Sequence, residues 1–228
     1  MSRIVLLLLF LGAPLSALAG EVDDEGWEKL YEKEGIAGWR KIEDGSKFYA
    51  WKGYGYIDRD FYRVVAVYMD STRSDEWVAD CLVSIEVEKP DVDHQITYNV
   101  TGLPRPFWDR DFLWQEEYVY DPERRTVLDT MVSCDHPDYP EQEGIVRGQL
   151  MSSTFYAQWV EPEKTFVEVT IHVDPGGKLP AWLVNAISRS WPFITFRDLR
   201  EQAMTAEGYD ELEQAIRQAH PMEPPPAP

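Results

Sequence analysis

Between Gly35 and Asp174 the chain is dominated by runs in which apolar and polar residues alternate, the period of a half-buried β-strand. Towards both ends the apolar residues recur instead at three and four positions, the period of a helix. Trp27, Leu30 and Tyr31 share one helical face with Gly35 as a stop, so a first helix is expected there. GIAGWRKIE and KFYAWKGYGYI read as a hairpin around Asp44-Gly45. Phe61, Val64, Val65 and Tyr68 then give FYRVVAVYMD a helical face, and SDEWVAD reads as a short helix.

Six strand-like runs follow: CLVSIEVEK, HQITYNV, RDFLWQEEYVY, RTVLDTMVSC, IVRGQL through FYAQWVE, and TFVEVTIHV. The turn signals KPDVD, DPERR and EPEK separate them, and strands joined this tightly form an antiparallel meander. Pro180 suits the first turn of a terminal helix along which Leu183, Ile187, Trp191 and Ile194 recur. Pro192 should kink that helix near Ser188, whose carbonyl loses its partner. The fold class is therefore α+β. A long curved sheet must bury one face, the terminal helix is the element available to cover it, and a solid core or a cavity lies between.

The tetrapeptide DRDF occurs twice. At 58–61 it precedes a helix, so Asp58 is the expected N-cap and Asp60 lies in the first turn, where negative charge suits the helix dipole. At 109–112 it opens a strand, where neighbouring side chains point to opposite faces and Asp109 and Asp111 cannot converge on one substrate atom. Arg110 is expected to pin the preceding loop through an ion pair or carbonyl contacts. Alternation places Arg110, Phe112, Trp114, Glu116 and Tyr118 on one face, read as the inner one because it holds the large aromatics.

The two ends change the picture. Arg3, the apolar run Ile4 to Gly12 and the small-residue stretch ending at Ala19 have the three-part form of a cleaved secretory signal, residues 1–19. That implies a secreted or periplasmic protein whose folded domain spans 20–219, with the Pro-rich 220–228 as a disordered tail. The net charge of −19 disfavours nucleic acid and tight binding to anionic lipid surfaces. Cys81 and Cys134 would sit on the first and fourth strands of the meander, about 14 Å apart at the usual spacing, which is too far for a disulfide. Of the four histidines only His172 is placed on a strand, with Glu168, Thr170 and Asp174 on a solvent-facing side. No nucleophile elbow, phosphate loop or metal-ligand spacing appears, so neither a metal nor a cofactor is expected.

GYIDRDFYRVVAVYMDSTRSDEWVAD, PFWDRDFLW, CDHPDYPEQEGIVRG and HVDPGGKLPAWLVNAISRSWPF, in this order, resemble the StAR-related lipid-transfer (START) domain of the helix-grip superfamily. The resemblance implies a tunnel between the sheet and the C-terminal helix that holds one hydrophobic molecule, often a sterol or a phospholipid. Phe112 and Trp114 on the strand, facing Leu183, Ile187, Trp191 and Ile194 on the helix, are then the expected lining. Leu103, Pro104, Pro106, Phe107 and Trp108 match the loop at the tunnel mouth, where they act as a lid, a membrane-touching tip or a plug over the core. Glu116 matches a position that carries a charged cavity residue in some members. It contacts a ligand, meets a buried partner, or twists into solvent at the sheet edge. The resemblance favours a monomeric carrier of a lipid or other hydrophobic small molecule in transient contact with a membrane. The alternatives are a cyclase- or hydrolase-type enzyme on the same fold and a ligand-sensing interaction module.

Overall fold

The computed structural model describes Val22, Asp23 and residues 25–226, so the expected signal segment 1–19 lies outside the described residues. Ten strands form one sheet: β1 (Glu28–Lys33), β2 (Ile36–Ile42), β3 (Tyr49–Ile57), β4 (Cys81–Glu88), β5 (His94–Thr101), β6 (Arg110–Asp121), β7 (Thr126–Ser133), β8 (Val146–Arg147), β9 (Gln149–Glu161) and β10 (Lys164–Asp174). The order across the sheet is β1-β2-β3-β10-β9-β7-β6-β5-β4, antiparallel throughout, with short β8 pairing parallel to β6. This is the expected meander, closed by β10 pairing with β3, except that IVRGQL through FYAQWVE, expected as one strand, is divided into β8, which lies beside β6, and β9.

The first expected helix is a strand. Glu34 and Gly35 both adopt positive φ, 56° and 72°, the two-residue turn whose twist suits a hairpin, and Lys33 pairs with Ile36 across it. Gly35 thus joins β1 to β2 instead of ending a helix. Helix α1 (Phe61–Met69) forms as expected, but its N-cap is Asp60, whose carboxylate accepts from the Tyr62 amide at 3.0 Å, and not Asp58. A 3-10 turn (Ser71–Glu76) follows.

The kinked terminal helix is two helices, α2 (Ala181–Ser188) and α3 (Trp191–Thr205), with Pro192 in the first turn of the second. Pro192 lacks the amide that a continuous helix would aim at Ser188, so the helix restarts instead of bending. Pro192 also sits on the sheet. A Cβ at Gly53 would stand 2.9 Å from the Pro192 Cβ, and one at Gly55 would stand 2.6 Å from the Gly35 carbonyl oxygen and 3.1 Å from the Phe196 ring. The GYG of β3 is what lets α3 approach this closely.

An unanticipated helix, α4 (Asp210–Ala219), lies on α1, where buried Arg63 donates to Asp210 at 2.5 Å and Glu213 at 3.0 Å. The tail expected to be disordered packs on the body through residue 226. His220 stacks on Tyr120 at 3.9 Å, and the Met222 amide donates to the Tyr62 hydroxyl at 2.8 Å.

The sheet's inner face is divided. Near β3 and the adjoining parts of β9 and β10, α1, α3 and α4 complete a solid core around Val64, Phe155, Val167, Phe196, Leu199 and Ile216. The remainder faces α2 across open space. The outer face is not uniformly solvated: Tyr98, Val100 and Leu113 form a second small core covered by Tyr139 of the 134–145 loop, which Arg147 ties down through Asp111 at 2.9 Å and the Tyr139 carbonyl at 3.0 Å. His172, expected on a solvent-facing side, is buried under the β2–β3 turn with its Nε2 2.9 Å from the Ser46 hydroxyl. Cys81 and Cys134 are free thiols, as the strand order requires.

Candidate functional site

A cavity of about 350 Å³ opens between α2 and the sheet. All seven expected lining residues stand on its wall: Phe112, Trp114 and Glu116 on β6, Leu183 and Ile187 on α2, and Trp191 and Ile194 on α3. Of the expected mouth residues, Leu103 and Phe107 line it, whereas Pro104, Pro106 and Trp108 are turned to solvent. Sequence patterning missed the contributions from the other strands and the turn before β4, including Trp51, Ser71, Trp77, Gln95, Ser153 and Ile171.

Sheet register explains why these residues meet. Gln95 pairs with Glu116, Glu116 with Met131, Met131 with Ser153, Ser153 with Ile171, and Ile171 with Trp51. One row of side chains thus crosses six strands on the inner face, and every member lines the cavity. Alternation within a strand can place Glu116 inside, but only the register shows what it meets there.

Glu116 does not turn out to solvent. Its Oε1 accepts from Thr97 at 3.1 Å and from the Trp114 indole at 2.5 Å, and its Oε2 accepts from Gln95 at 2.6 Å and the Tyr118 hydroxyl at 2.5 Å. Four donors fill the four lone-pair sites of a carboxylate, the arrangement that makes a buried carboxylate tolerable. Burial still pushes its pKa up, against the pull of those donors. Asp129, one strand away beside Tyr118, is fully buried and receives the Tyr68 hydroxyl at 3.0 Å on one oxygen. Burial and then the Glu116 charge raise its pKa well above the ordinary value. Glu116, with four donors against the single side-chain donor of Asp129, is the member of the pair better able to carry negative charge.

The mouth is held by carbonyls. Arg110 Nε donates to the Pro175 carbonyl at 2.9 Å, and its other nitrogens reach the Trp108 and Gly176 carbonyls, so one buried guanidinium ties the 102–109 loop to the segment leading into α2. Burial lowers its pKa. Asp109 adds a bond from the Leu103 amide at 3.1 Å. The second DRDF is therefore a loop clamp, with Asp111 turned to the outer face and paired with Arg147. Helix α2, although apolar, buries none of its residues fully, and Trp182 is 72% exposed, Trp108 59% and Ile187 44%. Among the described residues no group of His, Cys, Asp and Glu could hold a metal ion, and no helix is long and apolar enough to cross a membrane.

A ten-stranded antiparallel sheet gripping C-terminal helices around a lined hollow is the START helix-grip architecture. The START domain family model matches residues 15–202, and the chain belongs to that family. It is 24% identical to the uncharacterized protein PA1579 of Pseudomonas aeruginosa, over 88% of this chain and 98% of that one. It is 26% identical to the phosphatidylcholine transfer protein of Bos taurus, over 70% and 75% of the two chains. The crystal structure of human STARD10 superposes with a TM-score of 0.74 at 19% identity, covering 90% of this chain and 85% of that one.

The raised pKa of Asp129 has a measurable consequence. The folded chain retains a proton that the unfolded chain releases once pH exceeds the ordinary value of 3.8, so this residue disfavours folding increasingly as pH rises from there. Asp129→Asn keeps the shape and cannot ionise. Its stability relative to the wild type, read from urea midpoints between about pH 5 and about pH 8, is expected to rise with pH. A gap that does not change with pH would mean that Asp129 folds in its charged form.

Proposed function

We propose that this protein takes up one lipid or other hydrophobic molecule in the cavity and carries it outside the cytoplasm, without chemical change to it. The observation that carries this reading is an apolar hollow closed by a helix that buries none of its own residues fully. Removing apolar surface from water is worth roughly 25 cal/mol per Å², so a ligand filling such a hollow is held with few polar contacts. The family relatives support the same reading, since the bovine relative is named for phosphatidylcholine transfer. Catalysis is not favoured, because among the described residues the formally charged groups on the wall are Asp80, Arg110 and Glu116, and the last two are engaged by the protein itself.

Ile171 projects from β10 between Ser153 and Trp51 in the row, where a larger side chain cannot swing aside. Ile171→Trp is expected to reduce uptake of an uncharged fluorescent lipid by more than about tenfold while the protein stays folded. Unchanged uptake would place the ligand elsewhere.

Carrying requires contact with donor and acceptor membranes, and the exposed Trp108, Trp182 and Ile187 offer an apolar rim for it. Trp182→Ser should slow vesicle-to-vesicle transfer several-fold with equilibrium binding retained. Equal transfer rates would favour a sensor that only retains its ligand.

Export rests on the N-terminal pattern alone. Sequencing the N-terminus of the chain recovered outside the cytoplasm is expected to begin at Gly20. Recovery of an intact N-terminus would argue for retention in the cell.

A further inference from the structure

Resting on the carrier reading, we infer that the deep end of the cavity selects an uncharged lipid alcohol, bound hydroxyl-first at Gln95 and Ser71, and rejects phosphodiester headgroups.

Because its four lone-pair sites are already filled by protein donors, Glu116 cannot be the group that receives a ligand. What it does is fix Gln95. The Gln95 amide nitrogen donates to Glu116 at 2.6 Å and to the Met69 carbonyl at 3.2 Å, which commits both amide hydrogens and identifies the other atom as the oxygen. Gln95 is 3% exposed and lines the cavity, yet its Oε1 has no hydrogen-bond partner among the described residues. Ser71 lies two residues beyond Met69, so the same carbonyl that holds Gln95 brings the two side chains to one end of the cavity. Ser71 is 4% exposed, lines the cavity, and its hydroxyl is likewise without a partner. Buried polar atoms are rarely left in this state, so the pair calls for a ligand that both donates and accepts.

A hydroxyl does both: it gives its proton to Gln95 Oε1 and takes one from Ser71. An ionised phosphodiester has no proton to give, and neither has a choline group, so Gln95 would stay unsatisfied. The surrounding charge points the same way. No Lys or His lines the cavity among the described residues. Arg110 is at the mouth, spent on carbonyls, while Glu116 sits beside Gln95. Thr101 lies six residues along β5 from Gln95, about 20 Å at the antiparallel rise, so a phosphate seated at the deep end is remote from that guanidinium. The volume of about 350 Å³ lies near the lower end of ligand pockets and suits a compact body better than two acyl chains with a large headgroup.

Matched probes test this on the mature chain. The first pair is dehydroergosterol and its 3-methyl ether. The second is a fluorescent diacylglycerol and the phosphatidylcholine carrying the same chains. At least one alcohol is expected to bind about tenfold or more tightly than its blocked partner, and which pair responds tells a polycyclic alcohol from an acylglycerol. Gln95→Leu should bring that ratio near one and Ser71→Ala should weaken binding of the alcohol several-fold, with the circular dichroism spectrum and urea midpoint of each variant as the control for folding. Equal affinities within both pairs, or phosphatidylcholine as the tightest ligand, would overturn the inference and leave the carrier reading standing. Failure of all four probes to bind would remove both.

Discussion

The contact on which the rest depends is Pro192 against Gly53. An antiparallel sheet of this length offers one continuous inner face, and something must decide how much of it is core and how much is hollow. Two glycines in β3 let α3 sit directly on the sheet, with its Phe196 and Leu199 inside the core. The same proline forbids a helix continuing backwards through Ser188, so α2 leaves at its own angle and spans the remaining face instead of filling it. Close approach on one side of the break produces the solid core, and loss of approach on the other side produces the cavity. The anchor and the lid are one run of sequence, separated by a missing amide.

At the boundary between the two regions lies a layer of polar groups, Gln95, Thr97, Glu116, Tyr118 and Asp129, all buried, with half-buried Tyr68. Such a layer is costly unless it is satisfied, and here satisfaction is uneven. Glu116 has four donors. Asp129 has one side-chain donor, and burial raises its pKa. Gln95 has both hydrogens committed and its oxygen free. The unpaired Gln95 oxygen belongs to a residue of the cavity wall, whereas the unpaired Asp129 oxygen belongs to a residue outside it. On the proposed reading, the ligand completes the layer that the protein leaves open.

How much of this was legible in the sequence follows from the range of each signal. Alternation is local, so β2 to β7, β9 and β10, the meander order of β4 to β10 apart from short β8, and the inward set on β6 could be read directly, as could the separation of the two cysteines. Trp27, Leu30 and Tyr31 fit a helical face as well as a strand, and the deciding feature was the positive-φ pair at Glu34 and Gly35, a turn signal weaker in Glu-Gly than in Asn-Gly. Helix α4 carries few apolar residues, Leu212 and Ile216 among them, and its place depends on Arg63, distant in sequence. Glu116 could be placed inside by alternation, but its partners on β5 are fixed by register. Ser71 and Gln95 belong to no pattern at all, because a free lone pair leaves no trace in periodicity. The family resemblance supplied the hollow; neither it nor the pattern supplied the row across its floor.

The mouth poses the opposite problem from the floor. A chain with net charge −19 is repelled by anionic bilayers at long range, yet it displays tryptophan and isoleucine around its opening. The two features are compatible for a carrier. Long-range repulsion keeps residence on a membrane short, and it is screened within about 8 Å at physiological salt. Apolar side chains act only on contact, inside that distance. Arg110 tethers the 102–109 loop to the start of α2 through carbonyls, not through a carboxylate, so this tie adds no charge pair to be desolvated when the rim meets lipid. On the proposed reading, the rim enters an interface as one unit, touches it briefly and withdraws, and the same tie that shapes the opening keeps its two sides in register while the ligand passes.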